Sequence, residues 1–494
     1  MAAEENDSHM MLLQCSDPTD SSHHFHPRHI NFFEVIKEMK QLCLIALPLI
    51  VTGLLTYGKS SMSMVFMGRL GKEALAGGSL AIGFANITGY SVLSGLAMGM
   101  DAISSQACGA KQWNLMGQTL QRTIVILFLI CIPISVLWLN VGPILSFLGQ
   151  EAAISSVSAT YLAYCLPDLI FQCLINPLRI YLKSQEITLP LMTGAAFALL
   201  LHGPANYLLS IHLGLGIRGV AIATAVTDFN LLIVMLIYLW ATGIYKQTWQ
   251  GWSFQCFKEW GPILRLAIPS CVSVCLEWWW YEFMIVLSGL LPNASDAVAA
   301  MGILIQVTSL IYVFPWAMGL AVSTRVGYEL GAGNPGRART SSLIVLSCAT
   351  LTSLMALLFA VLMRNTWGRL FTGDASIVAL VAAAMPVLGL CELGNCPQTT
   401  LCGVLRGSAR PKLGANINLG AFYGVGLPVA VSLGFMTNLG LLGLWLGLLG
   451  AQVSCAVLMS VMLMRTDWVQ EARRARQLTG GANAVIDDDM GFQW

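Results

Sequence analysis

Ala46-Leu47-Pro48-Leu49 and Ala267-Ile268-Pro269-Ser270 run in the same order of Ala, aliphatic, Pro, and they stand 221 residues apart (267 − 46). Gly109-Ala110-Lys111 meets Gly331-Ala332-Gly333 at an offset of 222 (331 − 109), and Pro190 meets Pro411 at 221 (411 − 190). One register held over three separated marks predicts an internal repeat. The residues between the marks say in what medium it folds. Hydrophobic side chains make up 56% of the 494 residues and charged ones 10%, against about 25% charged in an ordinary soluble domain, and mean hydropathy is +0.70. That is too little charge to cover a globular surface. A spanning helix needs about 20 apolar residues, and cutting the chain at charges, Gly/Pro clusters and polar runs predicts twelve such segments. They are 43–65, 76–100, 118–140, 158–178, 190–211, 219–242, 263–290, 298–322, 341–363, 377–402, 414–435 and 440–464.

Six spans per repeat return the chain to the side on which it started. The halves are therefore expected to be parallel repeats about an axis along the membrane normal, with a cavity between them. The fold class is an all-α membrane protein of twelve transmembrane helices in two six-helix lobes. The expected layout is a polar tail at 1–42, a first lobe at 43–242, a linker at 243–262, a second lobe at 263–464 and a tail at 465–494. Cytoplasmic loops carry an excess of Lys and Arg. The two tails and the even-numbered loops hold eighteen of the cations assigned to loops, among them Arg28, Lys111, Lys183, Arg325, Arg337, Arg406 and Arg410. The odd-numbered loops hold five: Arg69, Lys72, Arg218, Arg364 and Arg369. Both termini are therefore expected in the cytoplasm. The polar first 30 residues lack the apolar core of a cleavable signal peptide, so the first span is expected to direct insertion.

Several classes are set aside on composition. Lys+Arg 26 against Asp+Glu 25 leaves no basic field for nucleic acid. The 14 Cys are scattered, without paired spacing, and read as small apolar packing residues. Neither a metal site nor a cofactor fingerprint is found, and no phosphate loop or nucleophile elbow that would mark an enzyme.

Charge inside a span is costly and normally faces a bundle interior or a wet cavity. The candidates are Lys59 in the first span, Asp168 in the fourth, Asp228 in the sixth, Glu277 and Glu282 in the seventh, and Glu392 in the tenth. Glu277 lies near the middle of its span, within Cys275-Leu276-Glu277-Trp278-Trp279-Trp280-Tyr281. An apolar surrounding disfavours the charged form of a carboxyl, which makes Glu277 a candidate proton-coupling acid. Alternatively it is a structural carboxyl bonded to Tyr281, one turn on. Lys59 lies beyond the middle of its span, about 7 Å from the midplane at about 1.5 Å per residue. It is placed either to hold an organic carboxylate or to neutralise Asp168 or Asp228. Gly99-Met100-Asp101 and Ser323-Thr324-Arg325 fall at equivalent inner span ends and suit gates or short turns equally.

These residues resemble the multidrug and toxic compound extrusion (MATE) carriers, specifically the plant DETOXIFICATION-type branch. The resemblance rests on Phe66-Met67-Gly68-Arg69-Leu70-Gly71, Leu75-Ala76-Gly77-Gly78-Ser79-Leu80, Gln106-Ala107-Cys108-Gly109-Ala110 and Ser323-Thr324-Arg325-Val326-Gly327-Tyr328-Glu329-Leu330-Gly331-Ala332-Gly333. Cys391-Glu392-Leu393-Gly394-Asn395-Cys396-Pro397-Gln398 and the segment around Glu277 look like the sub-branch containing carriers of abscisic acid and other carboxylated hormones. The resemblance implies outward export by proton antiport with Glu277 as the coupling acid. It implies a second-lobe cavity that uses Gln306, Asn395, Asn418 and Tyr423; Tyr281, Gln398 and Lys59 are added as candidate cargo ligands, and Asp168, Asp228 and Glu392 as accessory acids. It implies small organic solutes, protons and the bilayer as partners, action as a monomer, and a plasma-membrane or endomembrane location. One position departs from pattern: many plant relatives carry Asp where this chain has Asn395. The rival expectations are an anion channel, a regulatory membrane sensor, and an exporter of cationic or flavonoid-like xenobiotics.

Overall fold

The computed structural model describes residues 32–480, and among them there is no β-strand. Among the described residues, twelve helices are long and apolar enough to cross a membrane: α1 (Phe33–Leu70), α2 (Lys72–Gly109), α3 (Trp113–Leu139), α4 (Ala152–Ser184), α5 (Leu189–His212), α6 (Ile217–Thr242), α7 (Gly261–Ser288), α8 (Ala294–Gly331), α9 (Pro335–Met363), α10 (Ala375–Gly407), α11 (Pro411–Phe435) and α12 (Leu441–Met464). A short helix at Val141–Phe147 lies between α3 and α4, and a polar helix, α13 (Trp468–Leu478), follows α12. The expected number and order of spans are present. The expected tails lie partly outside the described residues, with Arg28 among them.

Local chemistry sets the helix starts. Pro occupies the first turn of α5, α9 and α11, where its missing N–H costs nothing. Asp374 and Asp467 cap α10 and α13 through their carboxylates, Asp374 accepting from Ser376 N at 2.8 Å. Hydroxyls inside the spans mostly donate to the carbonyl four residues back, as Thr123 does to Thr119 and Ser184 to Ile180, so they bring no unmet polarity into the bilayer. Apolar stripes face outward at helical spacing. Leu129, Ile132, Val136 and Leu139 do so on α3, and Leu351, Leu354, Leu358 and Leu362 on α9.

Several helices run past the segments that apolarity marks out, α2 among them with its end at Gly109. Helix α1 already begins at Phe33, inside the expected tail, because Glu38 is buried and paired there. Helices α4, α8 and α10 extend to Ser184, Gly331 and Gly407, since their polar ends pack against the opposite half instead of meeting water. Lys183, Arg325 and Arg406, counted above as loop cations, therefore lie inside helices. The sequence also gave no sign of the π-helical turns at Asn86–Tyr90, Tyr207–His212 and Leu419–Gly426. Such turns shift the face that later residues present. Two of them place candidate site residues: Tyr90 closes the first, and Tyr423 sits in the third, just after Asn418.

The core forms two apolar clusters. One is built around Trp138, Leu127 and Leu162 and reaches into the lower part of α8. The other is built around Trp280, Phe422 and Trp445. Between them, α1 packs on α8 and α2 on α7 and α8. A methyl group at Gly99 would strike the backbone of Ala267, and one at Gly109 the carbonyl of Tyr328, so this seam closes only with glycine at both places.

Candidate functional site

Where α2, α4 and α8 end together, buried charges hold the two halves to each other. Lys183 Nζ donates to both carboxylate oxygens of Asp101 at 2.8 Å, and Ser323 Oγ donates to Asp101 Oδ2 at 2.8 Å from the other half. Arg325 of α8 pairs with Glu38 at 2.9 Å, Glu186 at 2.6 Å and Glu329 at 2.6 Å, and Ser341 adds a donor to Glu38 at 2.6 Å. One guanidinium thus ties two acids of the first half to the second. Asp101 and Arg325 lie within helices rather than in short turns, and their contacts latch the two halves together at this end.

In the first half, Lys59 Nζ meets Asp228 Oδ1 at 2.8 Å, and Gln172 donates to the other carboxylate oxygen at 2.7 Å. Asp168 lies against Asp228 and accepts the Tyr90 hydroxyl at 2.5 Å, while Arg179 acts on both carboxylates at longer range. The fourth and sixth spans therefore bring their two acids to one place, with Lys59 neutralising Asp228. Next to them His202 is wholly enclosed, contacting Ser63 at 2.9 Å, Thr227 at 2.7 Å and Asn206 at 3.0 Å.

The second half is built differently. Glu277 is 6% exposed and forms no ion pair among the described residues. Its Oε1 receives no hydrogen bond; the polar groups bearing on it are Tyr312, Gln398 and Thr399, with Arg406 as the cation nearest in effect. The Tyr312 hydroxyl is likewise buried without a partner. Glu392 is held on both oxygens, by Thr308 at 2.6 Å and by Asn395 at 2.8 Å. Asn395 Oδ1 accepts in turn from Gln452 at 3.3 Å. Gln398 donates to Asn418 Oδ1 at 3.3 Å, and Asn418 donates to Ser273 at 3.1 Å. These contacts join α7, α8, α10, α11 and α12 into one polar core.

Six of the expected residues converge there: Glu277, Tyr281, Glu392, Asn395, Gln398 and Asn418. Tyr281 acts on Glu392 and Glu277 through space and lies near Thr308; the bond to Glu277 that the structural alternative expected is not made. Gln306 is placed elsewhere, its Oε1 accepting the Tyr57 hydroxyl at 3.0 Å across the two halves. Tyr423 donates to the Leu276 carbonyl at 3.1 Å and packs edge-on to Trp280 and Phe283. Lys59, Asp168 and Asp228 form the separate cluster of the first half. Sequence reading missed Tyr90, Thr308, Tyr312, Gln452 and the internal place of Arg406. A hydroxyl or amide in an apolar span is too common to stand out, whereas Arg406 could have been found by letting the tenth helix run on through Gly403-Val404-Leu405-Arg406-Gly407.

The MatE family profile matches residues 48–208 and 269–432 of the chain, two segments that follow the internal repeat. Protein DETOXIFICATION 49 of Arabidopsis thaliana is 55% identical over 480 residues, covering 97% of this chain and 96% of the relative. Protein DETOXIFICATION 48 of the same plant is 53% identical over 481 residues, covering 96% and 90%. The crystal structure of the eukaryotic MATE transporter AtDTX14 superposes with a TM-score of 0.86 at 33% identity, covering 90% of this chain and 99% of that one.

Proposed function

The chain belongs to the MATE family of multi-pass membrane transporters, and from that premise we propose that it is a proton-coupled antiporter exporting a small organic solute, with Glu277 as the coupling acid. Family membership makes it a transporter and not an enzyme. The reading is carried by one observation: Glu277 is a buried mid-span carboxyl with one oxygen lacking a donor and no cation in contact. An ionised carboxyl in that setting is costly, so taking up or releasing a proton changes the energy of the second half more than at any balanced site. Glu392, with both oxygens occupied by donors, is the accessory acid.

The cycle follows from the two contact zones between the halves. With the Asp101–Lys183–Ser323 and Arg325 contacts closed, the site faces away from that end. When they part, the halves at 43–242 and 263–464 rock about the connector at 243–262 and the site faces the other way. The excess of cations puts the latch end and both termini in the cytoplasm, in a plasma membrane or an endomembrane. One pH unit supplies about 1.4 kcal/mol per proton, and 100 mV adds about 2.3 kcal/mol per charge moved, so a single coupled proton supports useful export by a monomer. The cargo we assign is a carboxylated solute of the size of abscisic acid, supported by the resemblance of the segments around Glu277 and Asn395.

The test is uptake of labelled abscisic acid into proteoliposomes with an imposed pH gradient, against empty liposomes. Protein-dependent flux that follows the gradient and vanishes in Glu277→Gln is the expected result. Gradient-driven flux of organic cations or flavonoids instead would remove the cargo assignment and keep the antiporter. Ionic current indifferent to Glu277 would replace the antiporter with a channel.

A further inference from the structure

Arg406, near the end of α10, is 7% exposed, and two of its nitrogens, Nε and Nη2, are buried with no partner. Its third, Nη1, reaches only the sulfur of Met98 at 3.2 Å across the seam between the halves, and its flat face lies over the Trp316 ring at 5.6 Å. No carboxylate is within ion-pair distance. Glu277 acts on it only from a distance, and Lys183, itself engaged by Asp101, adds a like charge nearby. The other buried arginine of this seam, Arg325, has three acids. Arg406 is thus a desolvated cation without a counter-ion.

A small cavity opens beside it, lined by Ser270, Ser273, Cys402, Leu405, Arg406, Pro411 and Gly414. The Ser270 hydroxyl is also buried and unpartnered, and Ser273, whose oxygen accepts from Asn418, has its own hydrogen left to donate. Donors from α7 and α10 therefore meet in a space that holds one occupant of about the size of a water molecule or a halide ion. A neutral water would satisfy the hydrogen bonds and leave the charge uncompensated; an anion does both.

We propose that Arg406, Ser270 and Ser273 form a binding site for one small monovalent anion, either free chloride or a single carboxylate oxygen of an anionic solute whose remainder lies outside the cavity. The site is distinct from Glu277 and does not require that residue to exchange protons.

The full-length chain, purified in detergent, is titrated with chloride replacing gluconate at constant ionic strength, and its unfolding temperature is followed. A saturable rise in chloride is expected, absent in Arg406→Gln. Because that variant removes a buried charge and can fail to fold, Ser270→Ala provides the second reading. It keeps the cation and loses one donor, and it should raise the half-saturating chloride concentration about tenfold, as expected for a hydrogen bond to a charged group. A parallel acetate series separates the sources. Saturation by chloride alone assigns the site to free halide, and an equal Arg406-dependent response to acetate assigns it to a carboxylate oxygen. If neither anion differs from gluconate, or if Ser270→Ala titrates as wild type, the proposal is overturned. A gradient-driven flux experiment on Glu277→Gln is untouched by either result.

Discussion

In α1–α6 the carboxylates of Asp168 and Asp228 lie among the cations Lys59 and Arg179, whereas in α7–α12 Glu277 and Glu392 lie among hydroxyls, amides and tyrosines. Both clusters are buried, and both join several helices, yet they meet the cost of buried charge differently. In the first half Lys59 pairs with Asp228, with Arg179 acting from further off, while Asp168 makes no ion pair among the described residues and leaves Oδ1 without a donor. In the second half neither Glu277 nor Glu392 touches a cation among the described residues, so a proton is the species that can relieve their charge. Within that half, the donors also divide unevenly. Glu392 has one for each oxygen, and Glu277 leaves Oε1 bare. Repeated folds thus carry unlike chemistry at comparable depth: an ion pair anchors the first cluster, and the second holds its acids without one.

The comparison can be broken by variants, the strongest first. Glu277→Gln should reduce gradient-driven flux to that of empty liposomes while leaving the unfolding temperature within a few degrees of wild type, because no ion pair is lost. A variant that unfolds instead would make Glu277 structural and the halves alike. Lys59→Met should do the opposite. Removing one partner of a buried pair costs about 3–5 kcal/mol, toward the lower end here because the lysine side chain keeps 17% of its exposure. Adding Asp228→Asn to Lys59→Met should recover most of the lost unfolding temperature. If Lys59→Met keeps its stability and raises the KM for a carboxylate cargo, Lys59 is a cargo ligand and the first cluster is not merely structural.

Much of this was readable in the chain, and the reasons for the rest are physical. The repeat of Pro48 and Pro269, the twelve apolar runs and the charged residues inside them fix the number of spans, because the bilayer penalises every exception. Glu277 stood out on the same ground. What apolarity could not mark were helix ends buried by the opposite half: Glu38, Lys183, Arg325 and Arg406 look like loop residues until α1, α4, α8 and α10 are seen to pack against one another there. The partner of Lys59 was also beyond reach, since Asp168 and Asp228 stand on different helices and only their packing decides which is closer. The π turn after Asn418 left no mark at all, yet it sets where Tyr423 points.

Smaller effects sharpen the contrast within the second half. Glu392→Gln keeps an oxygen for Thr308 but turns an amide donor toward Asn395 Nδ2, so one hydrogen bond is lost and the cost should be about 1–3 kcal/mol, read as a lower unfolding temperature. Flux should survive, reduced; its complete loss would make Glu392 an equal partner of Glu277.

Tyr57→Phe should have the least effect, and it tests whether the halves are also tied at a second level. The Tyr57–Gln306 bond crosses the halves at 3.0 Å, and Gln306 lies 17 residues (323 − 306) from Ser323, about 25 Å along α8 at about 1.5 Å per residue. The bond coexists with the closed latch, so deleting it removes a contact from that state. A neutral hydrogen bond contributes about 1 kcal/mol, which limits the shift in the balance of access states to about fivefold. Hydrogen exchange in peptides around Asp101 and Ser323 should quicken by up to that factor if the bond belongs to the latch-closed state. Unchanged exchange with a raised KM would instead make Gln306 a cargo ligand held in reserve by Tyr57. The cavity-facing role would then extend from the polar core of the second half to the seam between the two.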